Sequence, residues 1–364
     1  MAKDTQSSGI SGKKQLFWNL AFILIAAASV WLVTSQAKGF SPAKFSEYLT
    51  NNNPWYLGIA MALMLSYILF AALAILCILK GFGYKRSLAD GISYAATDLY
   101  FSAITPSATG GQPVEGYIMV RDGLPTVITT VSLLTNMLLY TVSIVLIGFT
   151  CLLIKPSSFM RFSTFSRILI IIGAVIQVGL VFLYAILLWN KTLLQRICDW
   201  ILRVLGKLHL IRNLEKKREK LRNVMDSYSR AARMLKGKRR TLVKGLALNI
   251  AHRACQILVI VFCYLAGGGS WRHVPDIFAI QSNVVMGACC IPIPGSMGVT
   301  DYMMLDGYCQ FLMDTKGITQ VQAEAQAANL ELLSRTMSFY VCILLCGLIV
   351  LTKYIIIRFR RDRK

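Results

Sequence analysis

Six apolar stretches, each long enough to cross a lipid bilayer as a helix, dominate this sequence of 364 residues. A bilayer core needs roughly 20 helical residues, and every backbone N–H and C=O inside it must be bonded within the chain. Because 55% of the residues are hydrophobic and only 15% are charged, we exclude a soluble globular enzyme and predict an all-α integral membrane protein. The predicted spans are about 16–34, 55–79, 126–154, 168–190, 243–265 and 334–357.

The basic residues predict how these spans are oriented. Lysine and arginine accumulate in cytoplasmic connections of membrane proteins, and one assignment of sides gives the cytoplasm 30 of the 39 basic residues. That assignment puts both termini in the cytoplasm of a multi-pass protein of the cell membrane. We interpret the net charge of +22 as topology and contact with anionic lipid, and not as nucleic-acid binding. The cytoplasmic segments are 1–14, 80–90, Arg121, 191–244 and 353–364.

Two weaker apolar regions, 87–120 and 276–314, must each begin and end on the same side of the membrane if their neighbours are oriented in this way. Each region carries a proline- and glycine-rich break near its middle, at 105–113 and 292–298. The pattern predicts two opposed re-entrant helical hairpins in an inverted repeat, an architecture that places a binding site near the bilayer midplane. The alternatives are two ordinary short spans per region, or helices that are merely kinked at proline.

The domain organisation that follows is one polytopic domain over 1–364. Its first half is 1–190, a basic cytoplasmic segment covers 191–244, and its second half is 245–364. The basic segment has 17 basic and 4 acidic side chains. It fits either an amphipathic helix in the inner headgroup layer, which recruits anionic lipid, or a loop that only fixes orientation.

No motif for catalysis, nucleotide binding or metal binding is present in the sequence. The glycine-rich segments lack the spacing of a phosphate-binding P-loop, and the three histidines are too scattered to predict a metal site. The ten cysteines fall mostly inside apolar runs, where cysteine is usually a small buried hydrophobe. We therefore predict no catalytic residue, no metal and no cofactor.

Ionisable residues at membrane depth are the main candidates for a functional site. An unpaired charge there costs at least about 2.5 kcal/mol, so such groups face a cavity or each other. Arg253 and Arg335 are predicted partners of a lipid phosphate. Glu115 and Asp301 are predicted partners of a headgroup cation, or proton carriers. Glu331 and Arg335 are four residues apart and could instead simply neutralise one another.

The two breaks are predicted to contribute backbone groups to the same site. Unwound, glycine-rich backbone exposes N–H groups that bind phosphate, although the glycines could serve only close helix packing. The complete predicted lipid-binding set is Thr105, Pro106, Thr109, Gly110, Gly111, Gln112, Glu115, Arg253, Pro294, Gly295, Ser296, Gly298, Asp301, Glu331 and Arg335.

Both breaks resemble signatures of one family. The stretch 104–113, ITPSATGGQP, with Tyr117 and the RDG of 121–123, resembles the first signature of the lysylphosphatidylglycerol synthase transmembrane region, also called the flippase-like domain family. The stretch 292–301, PIPGSMGVTD, resembles its second signature, PxPGGxGxxE, with Ser296 in place of a glycine and Asp301 in place of a glutamate. Glu331 and Arg335 also match the last polar helix of the family.

The resemblance implies a function in lipid translocation. In two-part members, a cytoplasmic domain transfers lysine to phosphatidylglycerol and the membrane region moves the product to the outer leaflet. We therefore expect this chain to flip a polar lipid, such as aminoacylated phosphatidylglycerol or another anionic or modified phospholipid, which would support envelope charge and resistance to antimicrobial peptides. The alternatives are a phosphatidylglycerol lysyltransferase, a subunit that works with a separate lipid synthase, and a lipid-binding partner of envelope machinery.

Overall fold

The computed structural model describes residues 50, 52–105, 109–190, 192, 195–196, 225–235, 237–288 and 298–362, with side chains up to 355. The predicted span at 16–34, most of the basic segment and the centre of the second break lie outside these residues. The described residues form helices without any strand. In chain order they are α1 (Pro54–Gly81), α2 (Leu88–Ile104), α3 (Gly111–Arg121), α4 (Thr126–Ile154), α5 (Pro156–Met160), α6 (Thr164–Trp189), α7 (Arg239–Ala266), α8 (Val274–Ala288), α9 (Val299–Lys316), α10 (Gln320–Arg335) and α11 (Val341–Asp362).

Helices α1 and α7 form an antiparallel pair along their whole length. Near one end the Asn53 N–H donates to the Ala266 carbonyl at 3.0 Å. At the other end Gly81 lies so close to Thr241 that a Cβ on the glycine would come within 2.8 Å of it. This pair joins a helix of the first half to the first helix of the second half, and the two run in opposite directions.

Helices α2 and α3, with Asp122 directly after α3, form hairpin 1 (88–122). A capping box of Ser87 and Asp90 starts α2, and α3 returns to the same end, since the Tyr94 hydroxyl donates to Asp122 at 2.9 Å. The two helices have 17 and 11 residues, fewer than the roughly 20 that a full span needs. Hairpin 1 therefore enters and leaves at one end of the bundle.

Helices α8 and α9 form hairpin 2 (274–316), which returns in the same manner. Arg161 contacts Asp276 in the first turn of α8 and Asp314 near the end of α9. At the inner end of the hairpin, Gly298 has a φ of 77°, a conformation that glycine adopts without strain, and the Asp301 carboxylate accepts a hydrogen bond from its N–H at 2.8 Å. Glycine at this position therefore allows the chain to turn into α9.

The two hairpins enter the bundle from opposite ends. Hairpin 1 ends at Asp122, just before α4 begins, whereas hairpin 2 begins beside Lys155, just after α4 ends. Helix α4 has 29 residues, or about 43 Å at 1.5 Å per residue. Hairpin 1 packs on α1, α4 and α11, while hairpin 2 packs on α4, α6, α7 and α10. Each hairpin therefore contacts the last helix of the opposite half, α11 for hairpin 1 and α6 for hairpin 2. This is the arrangement of an inverted repeat.

The structure confirms the predicted all-α membrane fold. Five helical segments among the described residues are long and apolar enough to span a bilayer. The last of them differs from the prediction, since helix begins at Gln320 and continues through a π-helical turn at Thr336–Tyr340. Its first two turns are polar, so hydropathy placed the start of the span about 14 residues too late.

Candidate functional site

Asp98 on α2 is the centre of a polar cluster at the inner end of hairpin 1. Its Oδ1 accepts hydrogen bonds from Gln112 Nε2 at 3.1 Å and from Ser102 Oγ at 3.3 Å. A Cβ on Gly111 would come within 2.3 Å of the same oxygen. Gly111 therefore has to be a glycine for α3 to approach Asp98 this closely.

The chain just before α3 is fixed by Thr105. Its hydroxyl donates to the Phe101 carbonyl at 2.6 Å and accepts from the Gly110 N–H at 2.9 Å. Of the predicted residues, Gly111 and Gln112 thus lie against Asp98. Thr105 and Gly110 contact each other at the same end of the hairpin, and Thr109 is exposed. Pro106 lies outside the described residues.

Glu115 lies one helical turn after Gly111, and so on the same face of α3. Its side chain is only 2% exposed, and its Oε2 atom has no hydrogen-bond partner among the described residues. Among the residues that the structure describes, neither Glu115 nor Asp98 has a lysine or arginine within ion-pair distance. Hairpin 1 therefore carries two carboxyl groups at depth with no neutralising side chain in the structure as described.

Asp301, Glu331 and Arg335 meet at the inner end of hairpin 2. Arg335 Nε lies 2.6 Å from Asp301 Oδ1 and 3.7 Å from Glu331 Oε1. The interpretation of Glu331 and Arg335 as a self-contained pair is therefore incomplete, because Asp301 is the closer partner. Gly298 is held beside this group by Asp301, whereas Pro294, Gly295 and Ser296 lie outside the described residues.

Arg253 is buried on α7, in the middle of the bundle. Its guanidinium lies 4.6 Å from the centre of the Tyr140 ring on α4, and it donates to Gln256. Its Nε has no partner among the described residues. Arg253 and Arg335 thus contact different neighbours, and the predicted joint clamp of these two arginines on one phosphate remains a prediction.

Each hairpin is also held at its outer end, where the chain enters and leaves the bundle, by a basic residue that sequence analysis missed. Lys353 Nζ on α11 lies 3.2 Å from Asp90 and 3.0 Å from Asp122, which belong to the two ends of hairpin 1. Arg161 lies 3.0 Å from Asp276 and 3.1 Å from Asp314, which belong to the two ends of hairpin 2. We call the two ends of the bundle the Lys353 end and the Lys155 end.

A signal for these contacts is present in the sequence. Asp90 and Asp276 are each the third residue of the first hairpin helix. A second aspartate stands near the close of each hairpin, and a lysine stands near the end of α4 and of α11. An alignment of the two halves, each taken from its N-terminal to its C-terminal end, would have brought these residues roughly into register.

Comparison with known proteins agrees with this architecture. A search of curated proteins finds no match. The family model described as the lysylphosphatidylglycerol synthase TM region matches residues 18–346, a range that includes α1 to α10, both hairpins and both of their inner ends. The chain is therefore a multi-pass membrane protein of the lysylphosphatidylglycerol synthase transmembrane-region family.

Proposed function

We propose that this protein moves a polar phospholipid, such as aminoacylated phosphatidylglycerol, between the leaflets of the membrane. The observation that carries the proposal is the pair of broken hairpins, which reach into the bundle from opposite ends and have polar inner ends. Opposed hairpins of this kind allow a central site to be exposed first on one side and then on the other.

The charges at the two inner ends suit a headgroup with charges of both signs. Lysyl-phosphatidylglycerol carries a phosphate and ammonium groups. Asp98 and Glu115 on hairpin 1 can accept hydrogen bonds from an ammonium group, and both are deep enough for burial to strengthen the contact. Arg335 beside hairpin 2 can donate to a phosphate.

The pairing of Arg335 suggests how a lipid would be released. Asp301 and Glu331 both contact the Arg335 guanidinium. The phosphate of a bound lipid would have to displace at least one of these carboxylates. This exchange limits the affinity of the lipid and favours its release. Glu115 needs no such exchange, because its Oε2 has no described hydrogen-bond partner.

Reconstitution in liposomes tests the proposal. Purified protein is placed in vesicles of phosphatidylglycerol that contain a small share of lysyl-phosphatidylglycerol, and a membrane-impermeant amine reagent is added outside. Translocation makes the inner-leaflet lipid react in protein-containing vesicles faster than in protein-free vesicles. Equal rates would refute translocation. Expression of the chain in cells tests the alternative. If lysyl-phosphatidylglycerol increased in these cells but was not moved in vesicles, a role in lipid synthesis would replace the proposed role in translocation.

A further inference from the structure

A second candidate site lies at the Lys155 end, away from the inner ends of the hairpins. It is a cavity of about 670 Å³ between the connection of α4 to α6 and the outer half of α9. We call it the Arg167 cavity. Its lining residues are Ser157, Met160, Arg161, Phe162, Ser163, Arg167, Asp306, Gln310 and Asp314.

The charged groups of the Arg167 cavity are balanced, with two arginines and two aspartates. Arg167 Nε donates to the Phe162 carbonyl at 2.7 Å and Arg161 Nε to Asp314 at 3.1 Å, so the structure holds both guanidinium groups in place. Each guanidinium has five N–H groups, and its described contacts use two of them. Donors therefore remain for a phosphate, beside carboxylates that suit an ammonium group.

The aspartates are held as firmly as the arginines. Asp306 accepts hydrogen bonds from the Ser163 N–H at 2.9 Å and the Ser163 hydroxyl at 2.8 Å, through the same oxygen. Asp314 accepts from Arg161 and also from Gln310 at 3.1 Å. A charge-balanced lining of this kind favours a zwitterion over an anion. The two carboxylates repel an anion, whereas the ammonium group of a zwitterion binds to them.

An apolar rim adjoins this polar cavity. Phe165 and Tyr302 pack edge to face, with their ring centroids 5.7 Å apart, and both are about half exposed. Met160 and Ile168 beside them are also exposed. Phe165 and Ile168 belong to the first two turns of the spanning helix α6, where exposed apolar side chains lie at the level of lipid headgroups and upper acyl chains. Tyr302 belongs to the first turn of α9 and therefore lies deeper, at the level of the acyl chains. The cavity and its rim therefore match a ligand with a charged head and an apolar tail.

We propose that the Arg167 cavity binds the headgroup of a zwitterionic phospholipid from the leaflet at the Lys155 end. Arg161 and Arg167 donate to its phosphate, Asp306 and Asp314 accept from its ammonium group, and the acyl chains lie along Phe165 and Tyr302. Arg161 also holds the two ends of hairpin 2, so a phosphate bound here competes with Asp276 and Asp314 for the same guanidinium. This site binds lipid whether or not the protein translocates it.

Lipid binding to the full chain in an uncharged detergent tests this proposal. Native mass spectrometry measures apparent affinity for phosphatidylethanolamine, which has phosphate and ammonium groups, and for phosphatidylglycerol, which has only the phosphate. We expect tighter binding of phosphatidylethanolamine. Arg167→Gln is expected to weaken that binding about tenfold, the loss of one charge-assisted hydrogen bond. Asp314→Asn is expected to weaken phosphatidylethanolamine binding more than phosphatidylglycerol binding.

Arg272→Gln is the matched control, because Arg272 is exposed at the same end of the molecule and does not line the cavity. Circular dichroism checks that each variant is folded. Unchanged phosphatidylethanolamine affinity in Arg167→Gln, or an equal loss in Arg272→Gln, would overturn the proposed site. Equal affinity of the wild type for the two lipids would overturn the assignment of a zwitterionic ligand. Because binding is read in detergent, neither result depends on whether translocation occurs in vesicles.

Discussion

The Lys353 ammonium group lies 3.2 Å from the Asp90 carboxylate, and this ion pair joins the last helix of the second half to the first turn of hairpin 1. Lys155 and Asp276, 3.4 Å apart, repeat the arrangement at the opposite end of the bundle with hairpin 2. Each hairpin is thus tied to the half of the protein to which it does not belong. Removing one ion pair should therefore destabilise the helix ends at one end of the bundle and leave the contacts at the other end unchanged.

Hydrogen exchange can detect this selective loosening. Lys353→Gln removes the cation shared by Asp90 and Asp122, so we expect faster amide exchange in the first turns of α2. Lys155→Gln should instead raise exchange at the start of α8, with a smaller effect because Arg161 still holds Asp276. Lys85→Gln is the control, since Lys85 is exposed near the same end as Lys353. Faster exchange throughout the bundle in Lys353→Gln would indicate general destabilisation and contradict a local role.

Gly111 should tolerate no side chain. A Cβ there would come within 2.1 Å of Ser102 Oγ and 2.3 Å of Asp98 Oδ1, so Gly111→Ala must push α3 away from α2. We expect a destabilisation of about 1–3 kcal/mol, as for other overpacked sites, measured by thermal unfolding in detergent. Gly58→Ala provides the control, because nothing lies within 4 Å of that position. Equal stability of the two variants would mean that the inner end of hairpin 1 adapts freely.

The pairing at hairpin 2 predicts an unequal effect of removing its members. Arg335→Gln leaves the Asp301 and Glu331 carboxylates together without their cation, whereas Asp301→Asn leaves Arg335 with Glu331 at 3.7 Å. We therefore expect Arg335→Gln to lower the free energy of unfolding by about 1–3 kcal/mol, and Asp301→Asn to lower it less. A double-mutant cycle should give a coupling energy of about 0.5–3 kcal/mol between Asp301 and Arg335. Additive losses would show that their contact contributes nothing to stability.

Topology can be read from two exposed lysines. In a cysteine-free background, Lys85→Cys should react with an impermeant thiol reagent from the cytoplasm and Lys316→Cys from outside, because the charge distribution predicts that the Lys353 end faces the cytoplasm. Ser158 is unsuitable as an outer reporter, since its side chain is buried. Labelling of both positions from one side would contradict the opposed entry of the two hairpins.

The fold was largely predictable from the sequence because the bilayer allows few solutions. The predicted bounds of α4 agree with the structure. The first proline- and glycine-rich segment lies where α2 stops and α3 begins, and Gly298, the last residue of the second, directly precedes α9. The start of α10 was not predictable from hydropathy, since 320–333 is polar and its helix depends on a capping box of Thr319 with Gln322 and on packing against α9.

The candidate site was predictable in its residue types but not in its contacts. Glycine and glutamine at the first break indicated a polar hairpin end, yet only the three-dimensional arrangement brings Asp98 against Gly111. The partner of Arg335 was ambiguous, because Glu331 is close in sequence and Asp301 is close in space. Lys155 and Lys353 looked like ordinary charges at the ends of spanning helices, and their shared role depends on contacts between residues that are 121 and 263 positions apart.

If the chain moves an amine-bearing phospholipid across the bilayer with the help of Glu115, the buried carboxylate on hairpin 1, removing that carboxylate should slow the movement. The direct test measures movement of lysyl-phosphatidylglycerol and of labelled phosphatidylglycerol in vesicles that contain the wild type, Glu115→Gln or Glu324→Gln. Glu324 is exposed on α10 and serves as the matched control. We predict that the wild type and Glu324→Gln move lysyl-phosphatidylglycerol equally fast, and that Glu115→Gln slows it more than it slows phosphatidylglycerol. Movement by the wild type no faster than in protein-free vesicles would contradict the account.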